Sequence, residues 1–274
     1  MLQEDESLAP RRSPPRPVLH TALGLLLGAC LGMGCGMPWP PGEPDAPGHG
    51  HSPAPAPGPE PGPCRLEPPS ATPATLESLA SPGPYGFATR DFVFVDTSRP
   101  TPPNRDYPGA PQRTLPTRVW YPACPPDTAA SPPPGDRIPV ASGGPFPLLA
   151  YAHGLTSLGD TARFVTEHLA THGYVVIAPL FPLSNRNAPG GPTIEDLANQ
   201  PEDLAFVMRQ VALLSGADAD LAAAVDTQHR GLLGFSAGGL TVLIGTYHPV
   251  LALDGIQATV AQAPAISCML GPPF

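Results

Sequence analysis

The sequence predicts an α/β fold, a mostly parallel sheet with helices on both faces. Three observations predict it. From Leu148 onward, short apolar runs alternate with stretches of helical spacing, in the order strand, helix, strand, helix, strand, helix, strand. The runs "FPLLAY" and "YVVIA" are apolar without alternation, as strands covered on both faces are. Proline, 44 of 274 residues, crowds the chain up to about Pro147 and thins beyond it. Apolar density sufficient for a core therefore lies in the later part, with help from Phe87 to Tyr121. The predicted organisation is a leader over residues 1–36, a disordered spacer over 37–84 and one domain over 85–274.

Phe92 to Val95 and Arg118 to Tyr121 read as short strands bounded by prolines. The proline-studded loop "DTSRPTPPNRDYPGAPQRTLP" lies between them, and Asp127 to Gly144 is a second loop. Phe146 to Tyr151 is a buried strand, followed by His153-Gly154. Asp160 to His172 has helical spacing, with Phe164, Val165, His168 and Leu169 on one face and Gly173 at the C-terminal cap. Tyr174 to Ala178 is the next strand, and Leu180 to Pro192 is a long loop. Asp203 to Leu214 is helical, with Leu204, Val207, Met208 and Val211 on one side. Leu232-Leu233 is the core of a strand, a helix runs from Ser236 to about Tyr247, and Ala258 to Gln262 is a further strand. Open sheets of this kind form sites at the carboxyl ends of their strands. His153-Gly154 and Ser236 both fall there.

Arg11, Arg12 and Arg16 precede the apolar run from Val18 to Cys30, which is the plan of a secretory signal peptide. The run is short for a membrane span. Its end, "LGAC", resembles the lipobox of bacterial lipoproteins, with Cys30 as the acylated residue and Cys35 as a second candidate. The reading is an exported protein, either secreted or anchored to a membrane through an acylated N-terminal cysteine. The tract containing "HSPAPAPGPEPGP" cannot bury enough surface to offset ordering and reads as an extended spacer. His49 and His51 within it read as solvated residues. Of Cys64, Cys124 and Cys268, an oxidising compartment allows one disulfide, Cys124–Cys268 or Cys64–Cys124. The net charge is −9 and lysine is absent. Without a basic stripe, nucleic-acid binding is excluded as a function class.

The stretch "HRGLLGFSAGGLTVLIG" carries the chemistry. A Gly-x-Ser-x-Gly match alone is weak, but here it joins a strand to a helix. That turn is strained and needs small residues on both sides, supplied by Gly234 and Gly238. Ser236 then stands at a helix N-terminus, where free N–H groups favour developing negative charge. The oxyanion donors are predicted as the backbone N–H groups of Ala237 and of Leu155 in "LLAYAHGLTS". His153 reads as a structural histidine beneath that turn.

The stretches "FVDTSRPTPPNRDYPGAPQRTLPTRVWYPA", "YAHGLTS", "HLATHGYVVIAPLFPLSNRNAPGGP", "GFSAGG" and "ATVAQAPA" resemble an α/β-hydrolase group. It includes the dienelactone-hydrolase-like, platelet-activating-factor-acetylhydrolase-like and cutinase-like polyester esterases. The resemblance runs from about Phe87 onward. It implies a serine carboxylic-ester hydrolase working through an acyl-enzyme on Ser236, with a small-molecule, lipid or polyester ester as substrate and no metal or organic cofactor.

The family's triad follows the order serine, acid, histidine. After Ser236 the only carboxylate is Asp254 and the only histidine is His248, in reverse order. The intervening helix would carry His248 about 15 Å or more from the serine. In the acetylhydrolase-like relatives the acid ends the strand matching Ala258 to Gln262, where this chain has Ala263-Pro264-Ala265, and in the cutinase-like relatives the acid lies on the following strand and the histidine later still, both positions falling after Phe274. The sequence therefore predicts an esterase domain lacking its last strands and its triad acid and histidine, with low activity. The alternative from another class is a non-catalytic, surface-anchored lipoprotein that binds through the partial fold. A third reading improvises a base from His153 or His229. Thr156, Asn185 and Arg186 are assigned to the site entrance.

Overall fold

The structure is a computed structural model that describes residues 75–124 and 138–266. Cys30, Cys35, Cys64, Cys268, His49 and His51, with the leader and most of the spacer, lie outside the described residues. The elements are α1 (Leu76–Ala80), β1 (Gly86–Asp96), β2 (Arg113–Ala123), β3 (Phe146–Ala152), α2 (Arg163–Thr171), β4 (Val175–Pro179), α3 (Gln200–Ala212), α4 (Ala219–Ala223), β5 (Val225–Phe235), α5 (Ala237–Tyr247) and β6 (Ile256–Gln262). The six strands form one sheet in the order β1-β2-β4-β3-β5-β6. β1, β2 and β4 pair antiparallel, and β4, β3, β5 and β6 run parallel. This is the mixed, mostly parallel α/β sheet that the sequence predicts.

Alternation along the strands separates the two faces of the sheet. Leu148, Ala150, Val175, Ile177 and Leu232 point into a core with Leu204, Val207, Met208 and Val211 of α3 and Val242 of α5. Tyr151, Val176, Ala178 and Trp120 point the other way, against Ala162 and Ala170 beside and within α2. Helices thus cover both faces, and burial at about 25 cal/mol per Å² of apolar area is what drives that sandwich together.

Several elements differ from the sequence reading. The face of α2 is rotated: Phe164 is 69% exposed, and Thr166, Ala170 and Thr171 are buried instead. Trp120 and Tyr151 already fill that side of the sheet, so small residues make the close approach. β2 starts at Arg113 although Pro116 lies inside it. Pro116 has no N–H to give, but its carbonyl accepts from the Leu180 N–H at 2.7 Å. β5 begins at Val225, ahead of the exposed polar run that hid its start. α3 begins at Gln200, after a 3₁₀ turn over Glu195–Asn199. α1 lies in the stretch assigned to the spacer, where a Thr75–Ser78 capping box starts it. Gly83 N–H donates to Thr171 Oγ1 and Tyr85 N–H to Thr171 O, which ties this segment to α2. Cys124 is disulfide-bonded; both pairings that the sequence allows use it, and its partner lies outside the described residues.

One buried charge network fixes the loops at the carboxyl end of the sheet. Arg113, with no exposed surface, donates to Asp196 at 3.0 and 2.9 Å and to Asp203 at 2.7 and 2.6 Å. Arg99 joins Asp96 and Asp203, each at 2.7 Å. Burial pushes the Asp203 carboxyl up, and the two guanidinium groups oppose that. Two carboxylates this deep are tolerable only because Arg113 meets both bidentately. The network anchors the proline-rich excursion between β1 and β2 onto the start of α3. Further out, Asn104 Nδ2 donates to Pro189 O and Gly191 O at 2.8 and 2.7 Å, so the excursion also holds the long loop after β4.

Among the described residues no helix is long and apolar enough to cross a membrane.

Candidate active site

β5 delivers Ser236 to the carboxyl end of the sheet, and α5 starts at the next residue. Ser236 has φ 54° and ψ −116°, a backbone region that costs a non-glycine residue about 1–3 kcal/mol. Such a residue persists only where its surroundings over-determine it, and here they do. Its N–H donates to Gln262 O at 3.0 Å, and its carbonyl accepts from the Ala265 N–H at 3.1 Å. A Cβ on Gly234 would come within 2.2 Å of Gly238 O, and one on Gly238 within 2.0 Å of Ala152 O. Both glycines let three backbones meet. Gly239, packed against Pro264, is a third such contact that sequence reasoning did not single out. Ser236 itself is half-buried.

The loop after β3 runs beside the serine. A Cβ on Gly154 would lie 3.4 Å from Ser236 Cβ and 3.4 Å from Phe235 O. Thr156, at φ 62°, donates its N–H to Ser184 O at 2.8 Å, and Ser157 N–H donates to Gly154 O at 3.2 Å. Leu155 lies between these anchors, partly exposed. Ala237 is the first residue of α5, where an N–H has no acceptor within its own helix. The structure thus brings Leu155, Ser236 and Ala237 into one corner, with Gly234 and Gly238 beneath.

His153 is buried under this corner. Its Nε2 accepts from the Phe181 N–H at 3.0 Å, which leaves the proton on Nδ1 to be donated to Gly154 O at 2.8 Å. Burial lowers its pKa to about 4, so the ring is neutral and both nitrogens are occupied. It cannot serve as the improvised base. A second layer supports the same loop. Thr241 of α5 donates to Gln200 Oε1, and Gln200 Nε2 donates to Ser184 Oγ at 2.9 Å. This chain links the helix behind the serine to the loop carrying Leu155. Sequence reasoning missed it, though a glutamine opening an apolar helix and a threonine inside "GLTVLIG" are its signal. Asn185 is buried and spends its side chain on Phe181 O, Pro182 O and the Asn187 N–H, so it is a loop fastener and not an entrance residue. Thr156 and Arg186 are exposed.

The remaining acid–base candidates are elsewhere. His248 caps the far end of α5 and accepts from the Val250 and Leu251 N–H groups. Eleven helical residues separate it from Ser236, about 16 Å of rise. His229 pairs with Asp226 at 2.6 Å, seven strand residues or about 23 Å from the serine. Asp254 precedes β6, whose Ile256 pairs with Arg230, about 20 Å away at the amino end of the sheet. A pocket of about 330 Å³ lined by Asp91, Phe92, Pro116, Arg118, Asp160 and Leu180 includes no residue of the elbow or of His153 to Thr156.

No known protein family matches the sequence, and no curated protein matches it. Among solved structures, a ferulic acid esterase from Streptomyces cinnamoneus is similar, with a TM-score of 0.44 and 28% sequence identity. The similarity covers 60% of this chain and 56% of that one, so the chain spans little more than half of that structure's length. At that TM-score the likeness is coarse, and the site is read from its own geometry.

Proposed function

We propose that this chain carries the nucleophile and oxyanion site of a serine carboxylic-ester hydrolase. Ser236 Oγ attacks the ester carbonyl, and the Leu155 and Ala237 N–H groups receive the oxyanion. The alcohol leaves, and water releases the acid from the acyl-enzyme. The observation that carries this reading is the strained backbone of Ser236, held by two hydrogen bonds and by approaches that only glycine permits. Strain of this kind collects at functional sites.

Every histidine among the described residues is engaged or distant, so the serine lacks a general base among them and turns over slowly. Added imidazole supplies that base. The test is hydrolysis of short p-nitrophenyl esters with and without imidazole, against Ser236→Ala. The expected result is a weak basal rate and a Ser236-dependent rise with imidazole. If imidazole raises wild type and variant equally, the non-catalytic binding reading takes its place. A large Ser236-dependent rate without imidazole would mean that a base acts from beyond the described residues.

The same proposal includes export and anchoring through Cys30 or Cys35. The disulfide at Cys124 supports an oxidising destination. Mass spectrometry of the mature N-terminus checks it, with a diacylglyceryl cysteine as the expected species.

A further inference from the structure

Cys124 is disulfide-bonded, and the strand order decides between its partners. Trp120, Val176, Leu149 and Gly231 pair in one row across β2, β4, β3 and β5. β2 is antiparallel to β4, so the four residues after Trp120 carry Cys124 to the amino end of the parallel strands. The five residues after Gly231 carry Ser236 the opposite way, to the carboxyl end. Three strand spacings of about 4.8 Å, opposed rises of about 13 and 17 Å, and a twist of about 23° per strand put Cys124 about 28 Å from Ser236. Ala265 N–H donates to Ser236 O at 3.1 Å. From Ala265 the three residues to Cys268 span at most about 11 Å. Cys268 therefore stays about 10 Å or more from Cys124, even on a straight line through the packed sheet. The Cα atoms of a disulfide lie no more than about 7 Å apart, so this pairing is out of reach.

The chain before β1 is differently placed. Gly86 pairs with Ala123, so the start of β1 lies beside Cys124. The residues leading into it stay at this end of the sheet. Tyr85 N–H donates to Thr171 O at 3.1 Å and Gly83 N–H to Thr171 Oγ1 at 2.9 Å. The His168 and His172 rings meet Leu79 O and Ser81 O at 2.8 and 3.0 Å, which docks α1 on the end of α2. From Thr75, the cap of α1, the way back to Cys124 is at most about 30 Å through one short helix and a short extended run. The eleven residues from Cys64 to Thr75, three of them proline, span about 34 Å when extended.

We propose that Cys64 is the partner of Cys124, and that this bond clips the proline-rich spacer to the amino end of the sheet, opposite Ser236. The pairing uses the oxidising destination proposed above but none of the ester chemistry. Each thiol loses a proton and an electron as the S–S bond forms, and these reduce the disulfide of an exported thiol oxidant to its dithiol. The consequence is directional. Only the chain from Cys30 or Cys35 to Cys64 is left as a tether, and it leaves the domain at the amino end. The elbow at the carboxyl end then faces away from the anchor.

The experiment maps disulfides in the full chain, both as exported and as refolded with oxidised glutathione, after free thiols are blocked with N-ethylmaleimide. Trypsin cleaves after Arg65, Arg118 and Arg230, which puts Cys64, Cys124 and Cys268 on separate peptides. The expected result by tandem mass spectrometry is a Cys64–Cys124 pair, with maleimide on Cys268. In Cys64→Ser, Cys124 should become maleimide-reactive, and Cys268→Ser should keep the pair. A bond found only in the refolded chain supports the pairing and counts against export. Neither preparation reads hydrolysis, so a silent Ser236 leaves the result standing. A Cys124–Cys268 pair, a bond from Cys124 to Cys30 or Cys35, or a Cys124 thiol left free in both preparations overturns the proposal.

Discussion

The two ends of β5 hold the parts of an acid–base site in opposite proportions. At the carboxyl end, Ser236 sits in a strained turn walled by glycines, and the one nearby histidine, His153, has both nitrogens occupied. At the amino end, His229 takes the Asp226 carboxylate on Nδ1 at 2.6 Å, the orientation a catalytic base needs, with no nucleophile beside it. The difference teaches that a catalytic look is cheap and a catalytic position is not. An exposed His–Asp pair forms wherever a turn allows it. A serine at φ 54° forms only where several backbones are packed to make it.

The largest effect should come from breaking that packing. Gly238→Ala puts a methyl group 2.0 Å from Ala152 O and 2.6 Å from His153 O. Both obstacles are backbone and cannot swing aside, so a loss of about 3 kcal/mol or more is expected in urea denaturation. A loss below about 1 kcal/mol would mean that the corner is not over-determined. Gly216→Ala, with open space around its Cβ position, should cost much less despite φ 61°.

Next in size is the buried ring. Burial holds the His153 pKa near 4 instead of 6.5, so between those values the unfolded state binds more protons. Its stabilising contribution is whole above pH 6.5 and is lost as pH falls toward 4, about 3 kcal/mol in all at about 1.4 kcal/mol per pH unit. Denaturation midpoints measured across that range should lose this slope in His153→Asn and keep it in His229→Gln.

Gln200→Leu strands the Ser184 hydroxyl and leaves the Thr241 hydroxyl only Ala237 O, and it should cost about 2 kcal/mol. If Leu155 acts on the oxyanion, this variant should also lower the imidazole-rescued rate constant more than it raises KM. The smallest effect belongs to the amino end of β5: His229→Gln should leave the melting temperature and the rescued rate unchanged. A loss of rescue in that variant would erase the distinction between the two ends of the strand.

How far the sequence could be read follows the same division. The elbow was legible because its requirements are local: two glycines around a serine, an apolar run on each side. The Leu155 loop was legible for the same reason. The support behind them was not. Arg113 finds Asp196 and Asp203 across 83 and 90 residues, and Arg99 finds Asp203 across 104, separations at which no periodicity connects partners. The face of α2 was misjudged because helical spacing orders residues by polarity, whereas Trp120 and Tyr151 had already taken the room that Phe164 would need. α1 was hidden by its proline- and alanine-rich surroundings, and its capping box is a weak signal in so short a helix. His153 shows the limit most plainly, since residue type cannot reveal which ring nitrogens are already spent.

The two hydrogen bonds that tie Ser236 to Gln262 and Ala265 run to the last strand in the sheet order of the described residues and to the residues just beyond it. Among the described residues, the Ser236 backbone is thus moored to the outermost strand as well as to its own. Fraying there would slacken the turn at Ser236 before the interior melts, so whatever steadies that strand also sets how firmly the strained turn is held.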